Sequence, residues 1–392
     1  MSEIVLEEGR RLTLPAEAAK CLGLEVGQRL IIAAHEGQLV LHPAHLDARR
    51  AYIEVTTRCN LNCTICVRQV WRDEPGEMTW GTFKEVIQGL REFPKLERLT
   101  LGGFGEPLLH PRLPEMLELA ATLGVRLTVT TNGLLLNEET TRLLLKAGVD
   151  QVVVSLDTAH AQAHQLSPSK GAQELVLRNV RRLVHLAERR PWPPLNLGLE
   201  FVATRSNRGE LARLREIARD LGASFVLVSN LLPHTPEMVN EILYDCDQPV
   251  SLPLCWPVRD RGAIVWGRMD LPRMKWGAWR RCRFIEDHAM VIGWDGGVSP
   301  CYALMHSYPY YIYGRVKNVT RYVLGQVGKQ SLADIWNSEE YVRFRGKVRN
   351  FRFTSCVDCG LACTFAEENH DCRGNVPSCA DCLWAQDIVR CP

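Results

Sequence analysis

Thr56-Thr57-Arg58-Cys59-Asn60-Leu61-Asn62-Cys63-Thr64-Ile65-Cys66 follows directly on the apolar stretch Tyr52 to Val55. Three cysteines therefore sit on one short loop at the end of a predicted strand. A structural zinc normally takes four nitrogen or sulfur ligands, and no fourth lies nearby. The opening segment, Met1 to Arg11, is charged rather than apolar, so a secretion signal is not expected and a disulfide between such close cysteines is disfavoured. Soft thiolates at this spacing select an iron-sulfur cluster. Three thiolates on a 4Fe-4S cluster leave one iron without a protein ligand, and an open coordination position is what a metal centre needs to bind and activate a substrate. The loop predicts chemistry rather than electron storage.

A second segment, Leu101-Gly102-Gly103-Phe104-Gly105-Glu106-Pro107, follows the apolar run Leu96 to Leu101. Its glycines allow close approach of backbone to a ligand. Further on, Thr128-Val129-Thr130-Thr131-Asn132-Gly133 and Val152-Val153-Val154-Ser155-Leu156-Asp157 each read as a buried strand ending in small polar residues, the pattern of a parallel barrel with ligands at the carboxyl ends of its strands. In this order the Cys-x3-Cys-x2-Cys loop and the three strand ends resemble the radical S-adenosylmethionine (SAM) superfamily. The resemblance implies a cluster on Cys59, Cys63 and Cys66 and a SAM site formed by Gly103, Phe104, Gly105, Glu106, Thr131, Asn132, Ser155 and Asp157. Phe104 stands where the commonest version of the motif has glycine. Strand-end or helix-capping roles are the alternative for Ser155 and Asp157.

Between residues 50 and 233, six apolar strands beginning near Tyr52, Leu96, Val125, Gln151, Leu197 and Ser224 alternate with helical patterns at Trp80 to Phe93, Leu113 to Leu123, Glu138 to Ala147, Ala172 to Glu188 and Arg208 to Leu221. That alternation predicts a parallel sheet with right-handed crossovers. It is too short for a full eightfold barrel. The expected fold is α/β, a partial (β/α)6 TIM-like barrel with one side open to a large substrate. Residues 1–46 form a separate small β-rich unit, with strands at Arg29 to Ala34 and Gln38 to Leu41, and resemble the AbrB-like swapped-hairpin module of bacterial transition-state regulators. Six acids against four bases in this stretch argue against phosphate binding and for dimerisation or docking. Residues 234–281, rich in proline and tryptophan and containing Cys246 and Cys255, read as an irregular linker or bridging region with a role in substrate contact.

Nine of the fifteen cysteines lie in 282–392. Cys282 and Cys301 flank a predicted hairpin with Trp294-Asp295-Gly296-Gly297 at its turn. Next come the helix Ser331 to Ser338, then Cys356-x2-Cys359-x3-Cys363-x8-Cys372 and Cys379-x2-Cys382-x8-Cys391. Zinc ribbons are the alternative for such pairs. The pattern resembles the SPASM extension of radical enzymes that modify peptides and proteins, which implies two fully ligated auxiliary 4Fe-4S clusters acting as electron relays. The closing segment, Glu367 to Cys372 and Pro377 to Pro392, resembles radical enzymes that mature tungsten-dependent aldehyde oxidoreductases.

A net charge of +2 gives no electrostatic case for nucleic acid or membrane as the main partner, and no run approaches a transmembrane helix in length. A cytoplasmic protein is expected. The implied mechanism is one-electron cleavage of SAM to methionine and a 5′-deoxyadenosyl radical that abstracts hydrogen from a protein, peptide or metal-cofactor substrate. The implied partners are a reductant such as ferredoxin or flavodoxin and a second copy of the chain. Asp295 and His306 are the non-cysteine candidates for proton transfer, with a structural role the stronger reading of each. Two rival functions stand beside this one. The nearer is a peptide or sulfatase maturase; the more distant is an iron-sulfur redox sensor whose amino-terminal module binds DNA.

Overall fold

A computed structural model describes residues 6–7, 11–21, 24, 30–35, 38–43, 45–156, 170–188, 194–243, 254–260, 263–270, 280–312, 315–354, 356 and 367–391. At the amino terminus β1 (Leu6–Glu7) pairs antiparallel with β2 (Arg11–Leu12), and α1 (Ala16–Cys21) leads to a hairpin of β3 (Leu30–His35) and β4 (Gln38–Pro43). The hairpin register runs from Leu30 opposite Pro43 to His35 opposite Gln38.

The chain then alternates strand and helix: β5 (Arg50–Ile53), α2 (Trp80–Leu90), β6 (Arg98–Leu101), α3 (Leu113–Ala121), β7 (Arg126–Thr131), α4 (Glu138–Lys146), β8 (Gln151–Ser155), α5 (Lys170–Ala187), β9 (Asn196–Ala203), α6 (Leu211–Asp220) and β10 (Phe225–Asn230). All six strands are parallel and adjacent in chain order, as apolar strands with short helical crossovers require. Sequence sets the helix limits locally. The Thr79 hydroxyl accepts from the Thr82 N–H to open α2, and the Asn137 side chain accepts from Thr140 N–H to open α4. In α2, Phe83, Val86, Ile87 and Leu90 recur at helical spacing and are buried against the sheet. Each such side chain contributes about 1.5–3 kcal/mol of transfer free energy.

Beyond β10, β11 (Leu254–Asp260) and β12 (Ala263–Asp270) form an antiparallel hairpin, with β12 laid parallel to β10. This stretch reads in the sequence as irregular linker, so the hairpin is a correction. Its outermost strand contains Pro257, and an edge strand tolerates a proline that a central strand would not. The carboxyl-terminal part contains α7 (Arg283–Glu286), the hairpin β13 (Ala289–Ile292) and β14 (Gly297–Ser299), the hairpin β15 (Tyr308–Ile312) and β16 (Arg315–Val319), β17 (Gly325–Gln326), α8 (Leu332–Trp336) and α9 (Glu339–Arg349). Strand β13 runs parallel to β5, so the eleven-stranded sheet has the order β11-β12-β10-β9-β8-β7-β6-β5-β13-β14-β17.

The open side of the barrel, between β5 and β10, is filled by the carboxyl-terminal part. On one flank β13 pairs with β5. On the other, the Asn230 N–H donates to the Ile388 carbonyl at 3.0 Å and the Arg390 N–H to Ser229 Oγ at 3.0 Å. Tyr52, Phe284, Tyr302, Leu383, Trp384 and Ile388 form a second core there, beside the main core of strands and helices.

Candidate active site

Cys59, Cys63 and Cys66 are half-buried in the wall of a cavity of about 300 Å³ at the carboxyl end of the strands. Gly103, Phe104, Gly105, Glu106, Thr131, Asn132 and Ser155 line the same cavity. Thus seven of the eight sequence-predicted residues, from the ends of β6, β7 and β8, line the cavity with the cysteine loop; the eighth, Asp157, lies outside the described residues, as do Cys246, Cys359 and Cys363. The loop is braced by Arg68, whose guanidinium donates to the carbonyls of Thr57 at 3.1 Å and Leu61 at 2.9 Å. Burial raises the Cys59 thiol, while the Leu61 N–H at 3.4 Å, the Arg68 charge and the Asn132 amide at 3.6 Å favour its thiolate.

The glycine segment is packed without room for side chains. At Gly103 φ is +135°, and a Cβ there would lie 2.8 Å from Glu54. At Gly105 it would lie 2.1 Å from the Thr56 carbonyl oxygen, so this backbone presses directly against the start of the cysteine loop. Glu106 is buried and pinned: Oε1 accepts from Leu108 N–H at 3.0 Å and Thr131 Oγ1 at 2.8 Å, and Oε2 from Asn132 N–H at 2.7 Å. Burial pushes its carboxyl up to about 6. It ties the end of β6 to the end of β7 and fixes the orientation of Asn132.

Several residues of the site escape the sequence reading. Glu200 on β9 lines the cavity and accepts from Ser155 Oγ at 3.5 Å; its signal is a lone acid within the apolar strand Asn196–Ala203. Tyr302, Trp384 and Arg390 reach the cavity from the part of the chain that closes the barrel, together with Cys391, which the sequence reading has as a cluster ligand. His306 is 2% exposed, with Nε2 at 2.9 Å from Glu54 Oε2 and Nδ1 at 3.2 Å from Asp73 Oδ2, and it stacks on Trp71 at 3.8 Å. Glu54 Oε1 in turn accepts from the Phe104 N–H at 3.1 Å. Burial opposes the imidazolium, yet the hydrogen bonds and charges of Asp73 and Glu54 outweigh it and raise His306 to about 9. Asp295 instead closes a turn, accepting from the Gly297 N–H at 3.0 Å and pairing with Arg321 at 2.7 Å.

Four further thiols converge behind the cavity. Cys301 and Cys379 are buried, Cys282 and Cys382 half-buried, and each of Cys282, Cys301 and Cys379 has its thiol raised by burial and then by others of the four, Cys282 to about 12. Cys391 stands at the edge of this group, where its Sγ accepts from Trp384 Nε1 at 3.2 Å. Cys356 contacts Thr354 Oγ1 at 3.2 Å, and Cys372 is exposed. The donor sets fit iron-sulfur groups. Three thiols face one cavity beside Arg68, whose Nε is buried without a hydrogen-bond partner, and the four thiols behind it are held protonated first by burial and then, for Cys282, Cys301 and Cys379, by their neighbours, a cost that bound iron would relieve.

Residues 53–187 match the model of the radical SAM superfamily, and residues 282–360 that of the SPASM iron-sulfur cluster-binding domain. The chain is 39% identical over 346 residues to a tungsten-containing aldehyde ferredoxin oxidoreductase cofactor-modifying protein of Pyrococcus furiosus, covering 87% of this chain and 96% of that protein. It is 26% identical to a PqqA peptide cyclase of Granulibacter bethesdensis over 307 residues, 75% of each. The crystal structure of Streptococcus suis SuiB bound to S-adenosylmethionine shares the fold, with a TM-score of 0.55 at 16% identity over 80% of this chain and 71% of that one. The superfamily model over the barrel, the cluster-binding model over the closing domain and the 39% identity over nearly the whole of the Pyrococcus furiosus protein show that this chain belongs to the radical SAM superfamily, in the class that carries a SPASM domain.

Proposed function

We propose that this radical SAM enzyme matures the cofactor of a tungsten-dependent aldehyde oxidoreductase. The observation that carries the reading is the 39% identity to the Pyrococcus furiosus cofactor-modifying protein over nearly its whole length. Cys59, Cys63 and Cys66 would hold the catalytic 4Fe-4S cluster, and Cys282, Cys301, Cys379 and Cys382 an auxiliary one. Cys356, Cys359, Cys363 and Cys372 are the candidates for a second. When bound, the catalytic cluster and SAM supply one-electron cleavage of a carbon-sulfur bond and hydrogen-atom abstraction.

The chain's own contribution is placement and dryness. Gly103 and Gly105 bring backbone to the cavity without side chains of their own, and Thr131, Asn132 and Ser155 offer polar groups at successive strand ends. Glu106 acts as a positioning residue. Tyr52, Tyr302 and Trp384 wall the cavity and exclude water, which strengthens every polar contact inside it. Among the described residues two glutamates line the cavity; Glu106 is pinned by three hydrogen bonds, which leaves Glu200 as the candidate for handling a substrate proton. A ferredoxin or flavodoxin would deliver the electrons. Residues 1–46 would serve docking or dimerisation.

The second reading, peptide maturation, is favoured by the likeness to the peptide cyclase over three quarters of both chains. One experiment separates the two. Oxidoreductase produced in cells lacking this protein should carry a cofactor of different mass from that made in its presence, and cells supplying only the Cys63→Ala variant should match the deletion. Identical cofactor masses in all three would set the tungsten reading aside and leave the peptide one.

A further inference from the structure

The opposite, amino-terminal mouth of the barrel is built unlike an ordinary barrel floor. The first residue of three consecutive strands is arginine, and the pairing register sets them side by side, Arg50 opposite Arg98 and Arg98 opposite Arg126. Adjacent strands lie about 4.8 Å apart. Strand periodicity puts Arg50 on the face of Tyr52 and Arg98 on the face of Thr100, which is the interior of the barrel. Gln151 and Asn196, opposite each other on β8 and β9 and one step further along the inner face, at the level of Thr128, line the same cavity. Like charges directly opposite on neighbouring strands are destabilising, so three in a row call for compensation.

The carboxylates around this mouth are already taken. Asp287 pairs with Arg50 at 2.9 Å, Asp387 with Arg283 at 3.0 Å and Arg390 at 2.8 Å, and Glu286 with Arg281 at 3.7 Å. The side chains of Arg98 and Arg126 have no ion-pair or hydrogen-bond partner among the described residues. Burial, then the neighbouring Arg50 and Arg126, pull Arg98 below the ordinary guanidinium range. All three arginines line one cavity of about 790 Å³, separated from the thiol-lined cavity by a wall that includes Tyr52, Trp384 and Cys391.

We propose that this mouth is a binding site for a doubly charged oxyanion group of the phosphate type, gripped by Arg98 and Arg126 with Arg50 alongside and the amides of Gln151 and Asn196 completing the ring. Two guanidinium forks with no carboxylate in ion-pair contact, Arg98 feeling only the more distant charge of Asp287, match a dianion in charge, and each presents paired N–H donors to two oxygens. A singly charged carboxylate would leave one of them unneutralised. The group is either free inorganic phosphate or the phosphomonoester end of a larger molecule whose body fills the rest of the cavity. Because it lies at the far end of the barrel from Cys59, it is separate from the SAM site.

Anaerobic calorimetric titration of the reconstituted full-length protein with inorganic phosphate and with adenosine monophosphate, at constant ionic strength set with chloride, tests this. The wild type should bind at least one of them, and Arg98→Gln and Arg126→Gln should each weaken that binding at least tenfold. In chloride alone both variants should melt above the wild type, because a repelling charge is gone. Tighter binding of the monophosphate identifies an ester as the ligand, whereas equal or weaker binding identifies free phosphate. Both substitutions lie away from the thiol loop, so 5′-deoxyadenosine formation should persist and report that the variants are folded. Absence of binding to either probe, or binding that survives both substitutions, would overturn the proposal.

Discussion

His306 shows what a single side chain contributes here. It joins Glu54, at the end of β5, to Asp73, just past the cysteine loop, and Glu54 also holds the backbone of Phe104 in the glycine segment. One imidazolium thus locks the closing part of the chain onto the SAM-facing loop. Its ordinary value of 6.5 is raised to about 9 in the folded protein. A group raised on folding contributes stability that is complete below its unfolded value and disappears as pH rises through its folded value. The window is therefore about 6.5 to 9, and the size at neutral pH is on the order of 2–3 kcal/mol. His306→Gln keeps the hydrogen-bonding capacity of the side chain but not the charge. Its thermal midpoint should fall well below that of the wild type at pH 6.5, and the gap should close by about pH 10. A gap of the same size at both pH values would mean that the ring acts through packing against Trp71 instead. Neither Glu54 nor Asp73 stands at a spacing that links it to His306 in the sequence, so this contact was not legible there. The cysteine loop was, because its three ligands lie within eight residues of one another.

At the scale of elements, the strands and helices of the barrel are legible because each one carries its own period and its own stop signals, as α2 and α4 do with Thr79 and Asn137. The hairpin of β11 and β12 is not, since prolines conceal an edge strand. The four thiols of Cys282, Cys301, Cys379 and Cys382 come from α7, the end of β14 and the closing segment, and only the fold shows that they are neighbours. This grouping leads to a quantitative expectation. With one catalytic and two auxiliary clusters, reconstituted protein should contain about twelve irons. Cys379→Ser should lower that by about four while leaving the signal of the catalytic cluster intact, and Cys391→Ser should cost less, since Cys391 faces the substrate cavity. Iron and sulfide analysis with electron paramagnetic resonance of the reduced variants measures both. About four irons in the wild type, with zinc in place of the rest, would favour ribbons over auxiliary clusters.

For the whole molecule, the open side of a six-stranded barrel decides the architecture. The sequence implies that opening by its length alone; the structure fills it with Tyr302, Trp384 and the 388–391 segment, which hydrogen-bond or pack onto β5 and β10. The carboxyl-end cavity is where the thiol loop is reached, and among the described residues the amino-terminal unit takes no part in its wall. That unit carries more acids than bases and therefore has no counterion-release drive toward a duplex. Deletion of residues 1–46 should leave 5′-deoxyadenosine formation within about twofold of the full-length enzyme, since none of the described residues among them lines the cavity. The same deletion should lower the oligomeric mass seen by light scattering, or weaken modification of an oxidoreductase partner at low concentration, where docking limits the rate. Salt-sensitive binding of the full-length protein to duplex DNA, lost on deletion and measured by fluorescence anisotropy, would instead assign the unit to regulation.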